Sequence, residues 1–439
     1  MSLLVSEAGA EPASSAPRTL AQWLAWQEAL HLSAIDLGLD RIRVVAERMD
    51  LLQVDFPIIT VAGTNGKGST VALLSALCQS AGYRVGAYTS PHILRYNERI
   101  AVAGKLADDE LICAAFAAID AARGEVSLTY FEFGSLAAMW IFRQQAVELA
   151  ILEVGLGGRL DAANLWDADV AVITGIGIDH VSWLGDNREV IGREKAGIAR
   201  AGRPLVCGDP EPPESIGTIA RELGAEYWQI GRDWQVELSA AGDSFSVRLQ
   251  QDDTGTAWVD LPLPALPGTI QTQNAGCALL ALWQLRQRFP LPRSAIEHAL
   301  QHVQLAGRLQ RLQTAPDVYV DVAHNPHAAR YLADWLQKNP TSGRTYVLFS
   351  ILSDKDIDGV VEALRTSVDE WHFFALPDAR AMPLEDIHRA LSSHDHVTAV
   401  SHEGLKQAWT ALKPCLNSND RVVAFGSFLV VSSMLEDFV

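Results

Sequence analysis

Phe56-Pro57-Ile58-Ile59-Thr60-Val61-Ala62-Gly63-Thr64-Asn65-Gly66-Lys67-Gly68-Ser69 decides the architecture of this 439-residue chain. The run to Ala62 is short, apolar, rich in β-branched side chains and closed by glycine, the pattern of a buried strand. The glycine-rich segment follows, then a helical stretch from about Ser69 to Ala81 with Gly82 as its stop. Next comes Arg84-Val85-Gly86-Ala87-Tyr88-Thr89-Ser90, a second strand. The unit is βαβ, so its sheet should be parallel and covered on both faces.

Strand, glycine loop and helix together are the setting of a phosphate-binding loop. Glycines let the backbone approach phosphates, amides at the helix start bind anions, and Lys67 supplies a mobile positive charge. The spacing departs from G-x-x-x-x-G-K-[ST]. Val61 stands at the first glycine and Gly68 at the Ser/Thr. The bland alternative, a turn that merely joins strand to helix, is disfavoured by the flanking elements.

Outward from the loop the alternation continues. A capping box at Thr19-Leu20-Ala21-Gln22 opens a helix to about His31, and the loop Ile35-Asp36-Leu37-Gly38-Leu39 leads into a second helix. A helix from about Phe133 to Gln145 precedes the strand Leu149-Ala150-Ile151-Leu152-Glu153-Val154. Another strand, from Val170 to about Ile176, runs into Gly177-Ile178-Asp179-His180. Between about Tyr227 and Leu263 the pattern reads as antiparallel strands, followed by a helix from about Gln273 to Phe289. After a further helix to about Leu305, α/β alternation restarts with Val318 to Val322 as the first strand of a second unit. Strands at Tyr346 to Ile351, Trp371 to Leu376 and Arg421 to Phe425 continue it. The expected fold is α/β: a P-loop N-terminal domain with a parallel sheet, 19–305, and a smaller Rossmann-like α/β C-terminal domain, 306–439. Residues 1–18 read as a flexible tail, because Met1 to Pro17 holds no basic residue and so lacks the start of a signal peptide.

A net charge of -18 argues against a sequence-independent grip on nucleic acid or an anionic membrane, both of which need a Lys/Arg surface. No apolar run approaches the ~18 residues of a membrane span. Five scattered cysteines without a C-x-x-C pair point to reduced, buried thiols in a cytoplasmic protein.

Ser90, Glu153 and His180 fall at or near the C-terminal ends of expected parallel strands, the edge where open α/β sheets bind ligands. Glu153 inside an apolar strand is costly to bury without a cation or a full set of donors. The trio can complete a magnesium shell beside ATP phosphates; equally, Ser90 and His180 can be turn residues and Glu153 can pair with a buried cation. Gly155 to Asp161 is a flexible catalytic loop or just a turn. Lys195 in Arg193-Glu194-Lys195-Ala196-Gly197 reads as a solvated helix lysine. Asp321 to Pro326 either faces a cleft between domains or forms an Asx-type turn before Pro326.

At these residues the sequence resembles the folylpolyglutamate synthase/dihydrofolate synthase family, in the superfamily of the Mur cell-wall ligases. The match runs from about Ile35 to the C-terminus through Ile35-Asp36-Leu37-Gly38, Gly63 to Ser69, Thr89-Ser90-Pro91-His92 and Leu152 to Asp161. It continues through Asp179-His180, Glu194-Lys195-Ala196-Gly197, Gly307-Arg308 and Asp321 to Pro326. The resemblance implies that Thr64, Asn65, Gly66, Lys67, Gly68 and Ser69 hold ATP phosphates, with Asn274, Arg308 and Asp321 as further ATP contacts. It implies magnesium on Ser90, Glu153 and His180, a possible monovalent cation, and a carbamylated Lys195, which reverses the solvated reading. Lys67, Lys195 and His324 are then the catalytic candidates. Ile35, Asp36, Leu37, Thr129, Tyr130, Phe131, Glu132, Leu160 and Ser427 are the substrate-binding ones. Two departures are visible: Thr60 where many members have His, and Tyr130 where Phe is frequent.

The implied activity is ATP-dependent ligation of L-glutamate to dihydropteroate and to reduced folates through an acyl phosphate, by a cytoplasmic monomer. The rivals are a Mur-type amino-acid ligase and a nucleotide-binding regulator without catalysis.

Overall fold

A computed structural model describes residues 18–31, 33, 35–250, 257–395 and 397–438; all but Arg18 of the expected 1–18 tail lies outside them. β1 (Ile58–Ala62) is buried along its whole length, with Ile58 packed into one hydrophobic cluster and Ile59 into another. This is the period-2 alternation of a strand with helices on both faces.

β2 (Val85–Tyr88), β3 (Ile100–Val102), β4 (Lys105–Leu106), β5 (Leu149–Glu153), β6 (Val170–Ile173), β7 (Pro204–Cys207) and β8 (Glu226–Gln229) complete an eight-stranded sheet. Its order is β4-β3-β2-β5-β1-β6-β7-β8. The sheet is not wholly parallel, as the βαβ reading led us to expect. The short β3–β4 hairpin turns one edge antiparallel, while every pairing from β2 to β8 is parallel. The expectation of antiparallel strands from Tyr227 also needs correcting: β8 joins β7 in parallel. Only β9 (Trp234–Leu238), β10 (Ser244–Leu249) and β11 (Ala257–Pro262) form a separate antiparallel sheet. One face of the large sheet is covered by helices Leu20–Leu30, Asp40–Arg48, Asp109–Arg123 and Tyr130–Gln144. The other carries Lys67–Ser80, Ile270–Gln284 and Arg293–His302.

The second α/β domain holds a six-stranded sheet, β12 (Gln310–Gln313), β13 (Asp317–Val320), β14 (Thr345–Phe349), β15 (Glu370–Phe374), β16 (Ala399–His402) and β17 (Arg421–Phe425), ordered β12-β13-β17-β14-β15-β16. The stretch 318–322 is therefore its second strand, not its first. β12 pairs with it antiparallel, and being polar and half-buried it lacks the apolar signature of an inner strand.

Two local expectations change. The helix expected from Phe133 begins at Tyr130, because Thr129 and Glu132 form its capping box. The cysteines are all free, but only Cys78, Cys207 and Cys277 are buried; Cys113 is half-buried and Cys415 exposed. Among the described residues no helix is long and apolar enough to cross a membrane.

Candidate functional site

Parallel strands deliver their following loops to the same edge. β2, β5, β1 and β6 are adjacent, so Ser90, Glu153, the glycine loop and His180 converge. They line one cleft of about 420 Å³ with Lys195 and Asn274 from the first domain and Arg308, Asp321, His324 and Ser427 from the second.

The glycine loop is built for an anion. Gly66 has φ 89°, open to glycine and rare for other residues, and the helix Lys67–Ser80 that it starts has no side-chain cap. The first-turn amides of such a helix, with its dipole, favour negative charge. A Cβ on Gly66 would lie 2.7 Å from Asn274 Oδ1, so the loop packs directly against the helix Ile270–Gln284. Lys67 Nζ donates to the carbonyls of Gly63 (3.1 Å) and Thr64 (3.4 Å). The Thr64 and Asn65 side chains hold the loop in place. Thr64 Oγ1 exchanges hydrogen bonds with the Gly177 backbone, and Asn65 Nδ2 donates to Asn325 Oδ1 across the cleft. Gly68 and Ser69 line the cleft, with Ser69 buried.

Glu153 ends β5 fully inside the protein. Burial pushes its carboxyl up, while Lys67, the Ser90 amide and Arg308 pull it down. Its Oε2 accepts from Ser90 N at 3.2 Å. A buried carboxylate so sparsely bonded and facing a cleft is suited to a cation. His180 complements it. Burial, then the cations Lys355 and Lys67, hold its imidazole down at about 4 against the pull of Asp179, so near neutrality it offers a lone pair.

Lys195 is not the solvated lysine of the simple reading. It is buried, its Nζ donates to Gly157 O at 3.4 Å, and burial followed by Lys67 lowers its amine to about 7. Gly155 to Asp161 resolves as a packed turn. Asp161 accepts from the Leu156 and Ala163 amides, and a Cβ on Gly158 would strike the Lys195 backbone.

From the second domain, Arg308 reaches the loop, its Nη2 lying 3.4 Å from where a Cβ on Gly68 would stand. Asp321 accepts from the Leu309 and Ala323 amides, both at 2.8 Å, and burial raises its carboxyl against the pull of Arg308. Asn325 caps the helix Pro326–Lys338 as an Asx turn would, yet also crosses to Asn65 and Asp179. Both readings of that segment hold at once. Ser427 is buried, its Oγ accepting from Leu429 N.

Ile35, Asp36, Leu37, Thr129, Tyr130, Phe131, Glu132 and Leu160 do not line this cleft. They gather beside it. Gly38 N donates to Leu160 O, and Arg41 bridges Asp36 Oδ2 (2.7 Å) and Glu132 Oε1 (3.3 Å). The Thr129 hydroxyl and Glu132 Oε2 are taken up by the helix cap. Phe131 connects the two places: its ring lies 2.7 Å from where a Cβ on the cleft residue Gly155 would be.

Several site residues carry no motif role from the sequence: Arg41, Asp179 as an interdomain anchor, and Lys355. Lys355 sits in Asp354-Lys355-Asp356, a charged triplet that reads as solvent-facing, but its side chain is 5% exposed and lies 2.7 Å from Asp179. Its place just past the C-terminal end of β14 is the available signal, by the same edge rule that picks out Glu153.

Known proteins are similar to this chain in sequence and fold. A Mur ligase middle-domain model matches residues 61–282 and a Mur ligase glutamate ligase domain model matches 307–428. The dihydrofolate synthase/folylpolyglutamate synthase of Escherichia coli (strain K12) is 42% identical over 425 residues, 97% of this chain and 96% of its own. A structure of E. coli FolC with DHPP and ADP superposes with a TM-score of 0.89 at 41% identity, covering 96% of this chain and 97% of that one. A bifunctional folylpolyglutamate synthase/dihydrofolate synthase from Yersinia pestis, complexed with AMPPNP and a Mn ion, gives 0.88 at 41% identity over 96% and 98%.

Gly66→Ala places a methyl group against Asn274 and forces a non-glycine residue to positive φ. Calorimetric titration with ADP is expected to show at least about tenfold weaker binding, roughly 1.4 kcal/mol, with the circular dichroism spectrum unchanged.

Proposed function

The chain belongs to the dihydrofolate synthase/folylpolyglutamate synthase family of Mur-type ligases, and from that membership we propose that it joins L-glutamate to dihydropteroate and to reduced folates at the expense of ATP. The observation that carries this reading is the cleft itself. A phosphate-binding loop, a buried carboxylate and a neutral imidazole meet there with cations from the second domain.

A carboxylate resists attack by an amine because it is anionic and would have to expel oxide. Transfer of the ATP γ-phosphoryl group to a carboxylate oxygen breaks the bond to the β-phosphate and releases ADP. The resulting acyl phosphate has a good leaving group. Attack by the glutamate amine forms the C–N bond, loses a proton, and expels inorganic phosphate carrying one oxygen of the original carboxylate. The charge that spreads over the phosphoryl oxygens is met by Lys67, the amides of Thr64 to Ser69, and Arg308. Asn274 and Asp321 hold the nucleotide, and His324 and Ser427 stand where the incoming glutamate or the γ-phosphate lies. Cleft closure by both domains keeps water from the acyl phosphate.

Ser90, Glu153 and His180 are the proposed ligands of a divalent ion, magnesium, with a monovalent cation as a further ion. Among the described residues no group of three His, Cys, Asp or Glu side chains that could hold a metal is found, in keeping with a magnesium ion whose remaining ligands would be nucleotide phosphates and water. A divalent ion there would neutralise charge on the β- and γ-phosphates. The pteridine substrate is assigned to the neighbouring cluster of Ile35, Asp36, Leu37, Thr129, Tyr130, Phe131, Glu132 and Leu160. We assign the domains to 19–305 and 306–439, in keeping with the separate sheets, and the protein to the cytoplasm as a monomer without nucleic-acid or membrane partners.

Lys195 is proposed to be carbamylated. Only a neutral amine adds to carbon dioxide, and a buried amine at about 7 is largely neutral just above that pH, whereas an ordinary lysine is not. The carbamate anion would be attracted to Lys67.

Two outcomes are expected. Phosphate release from ATP should require both a pterin or folate acceptor and glutamate; release that ignores them contradicts the ligase reading. With 13C-bicarbonate, a carbamate carbon resonance should grow as pH rises from 6 to 8 through the Lys195 value of about 7, and be absent in Lys195→Ala.

A further inference from the structure

The Asp179 carboxylate closes β6's loop against the other domain. Its side chain is 6% exposed and its two oxygens are fully committed. Oδ1 accepts from Lys355 Nζ at 2.7 Å and from the amide of His180 at 2.8 Å. Oδ2 accepts from Asn325 Nδ2 at 2.9 Å and faces His324 Nε2 at 3.3 Å. Three of these four partners belong to the second domain. The fourth is the backbone of the next residue.

That next residue is unusual. His180 has φ 52° and ψ 43°, a left-handed conformation that non-glycine residues seldom adopt, and it starts the short helix Val181–Leu184 without a side-chain cap. Such a conformation persists only where its surroundings enforce it. Lys355 is itself held firmly: its amide donates to Leu352 O, and Asp356 caps the helix Ile357–Leu364. A buried ion pair adds little net stability, because desolvation offsets the Coulomb gain, but it fixes registry.

We propose that Lys355 and Asp179 are positioning residues: the second domain, through Lys355 with Asn325 and His324, sets the backbone of His180 and so aims its imidazole at the divalent ion. The inference rests on His180 being a metal ligand, as assigned above. Electrostatics gives the test its edge. A lysine close to a bound divalent cation repels it, so deleting that charge alone should tighten metal binding. Positioning demands the opposite sign.

The experiment titrates Mn2+ into the full-length protein saturated with ADP, reading free ion by electron paramagnetic resonance. Lys355→Met is expected to weaken Mn2+ by about 10–100-fold, the usual effect of losing a group that orients a ligand, with ADP kept saturating for each variant. Lys355→Arg should recover most of the loss. His180→Ala should weaken Mn2+ comparably, and the double variant no further. Mn2+ affinity in Lys355→Met that equals or exceeds that of the unmodified protein, with His180→Ala weakened, overturns the positioning role and leaves the metal assignment standing. An unchanged His180→Ala overturns both. Should Lys355→Met fail to fold, the double variant Lys355→Met/Asp179→Asn, which leaves no unpaired buried charge and removes one charge of each sign, carries the same expectation and the same refutation.

Discussion

The alignment of parallel strand ends is the constraint on which this molecule depends. β2, β5, β1 and β6 lie side by side, and hydrogen-bond register forces the loops after them to emerge together. A hydroxyl, a carboxylate, a phosphate loop and an imidazole from distant points in the chain thus meet without any one loop being long. The apolar strands bear the cost. Glu153 occupies the last position of a buried strand, tolerable only because Lys67 and Arg308 stand near it and the cleft opens beyond it.

Charge is arranged on the same plan. The chain as a whole carries -18, yet Lys67, Lys195, Arg308 and Lys355 all face one cleft. Lys355 is paired with Asp179, Arg308 lies near Asp321 and Glu153, and Lys67 near Glu153. At Lys195, burial and Lys67 outweigh the pull of Asp179, Asp161 and Glu194 and drive the amine toward neutrality. The result is a small positive field for a polyanionic nucleotide inside an acidic protein. Because those cations come from both domains, the field is complete only when the domains meet.

What could be read from the sequence follows from the range of the interactions involved. The β1 strand, the glycine loop and the capping box at Thr19 are local, and their residues announce them. Glu153 was legible because a carboxylate breaks an apolar run. β12 was not, since a polar edge strand has no pattern distinguishing it from a loop. The role of Lys195 could not come from composition: its burial is made by Gly157 and the glycine turn packed over it, contacts some forty residues away in the chain. Lys355 and Arg41 stayed hidden for a similar reason, as their partners Asp179 and Glu132 are joined to them by tertiary folding alone. Thr129 and Glu132 were noticed for a different purpose than the one the fold makes plain, the capping of a helix.

The central claim is that the cleft activates a carboxylate by phosphorylating it before the amine arrives. Dihydropteroate labelled with 18O in its carboxylate, turned over with ATP and glutamate, tests it directly. The account predicts one 18O atom in each inorganic phosphate released, detectable by mass spectrometry or by the isotope shift in 31P resonance. Phosphate free of label, with amide product formed in equal amount, would contradict it.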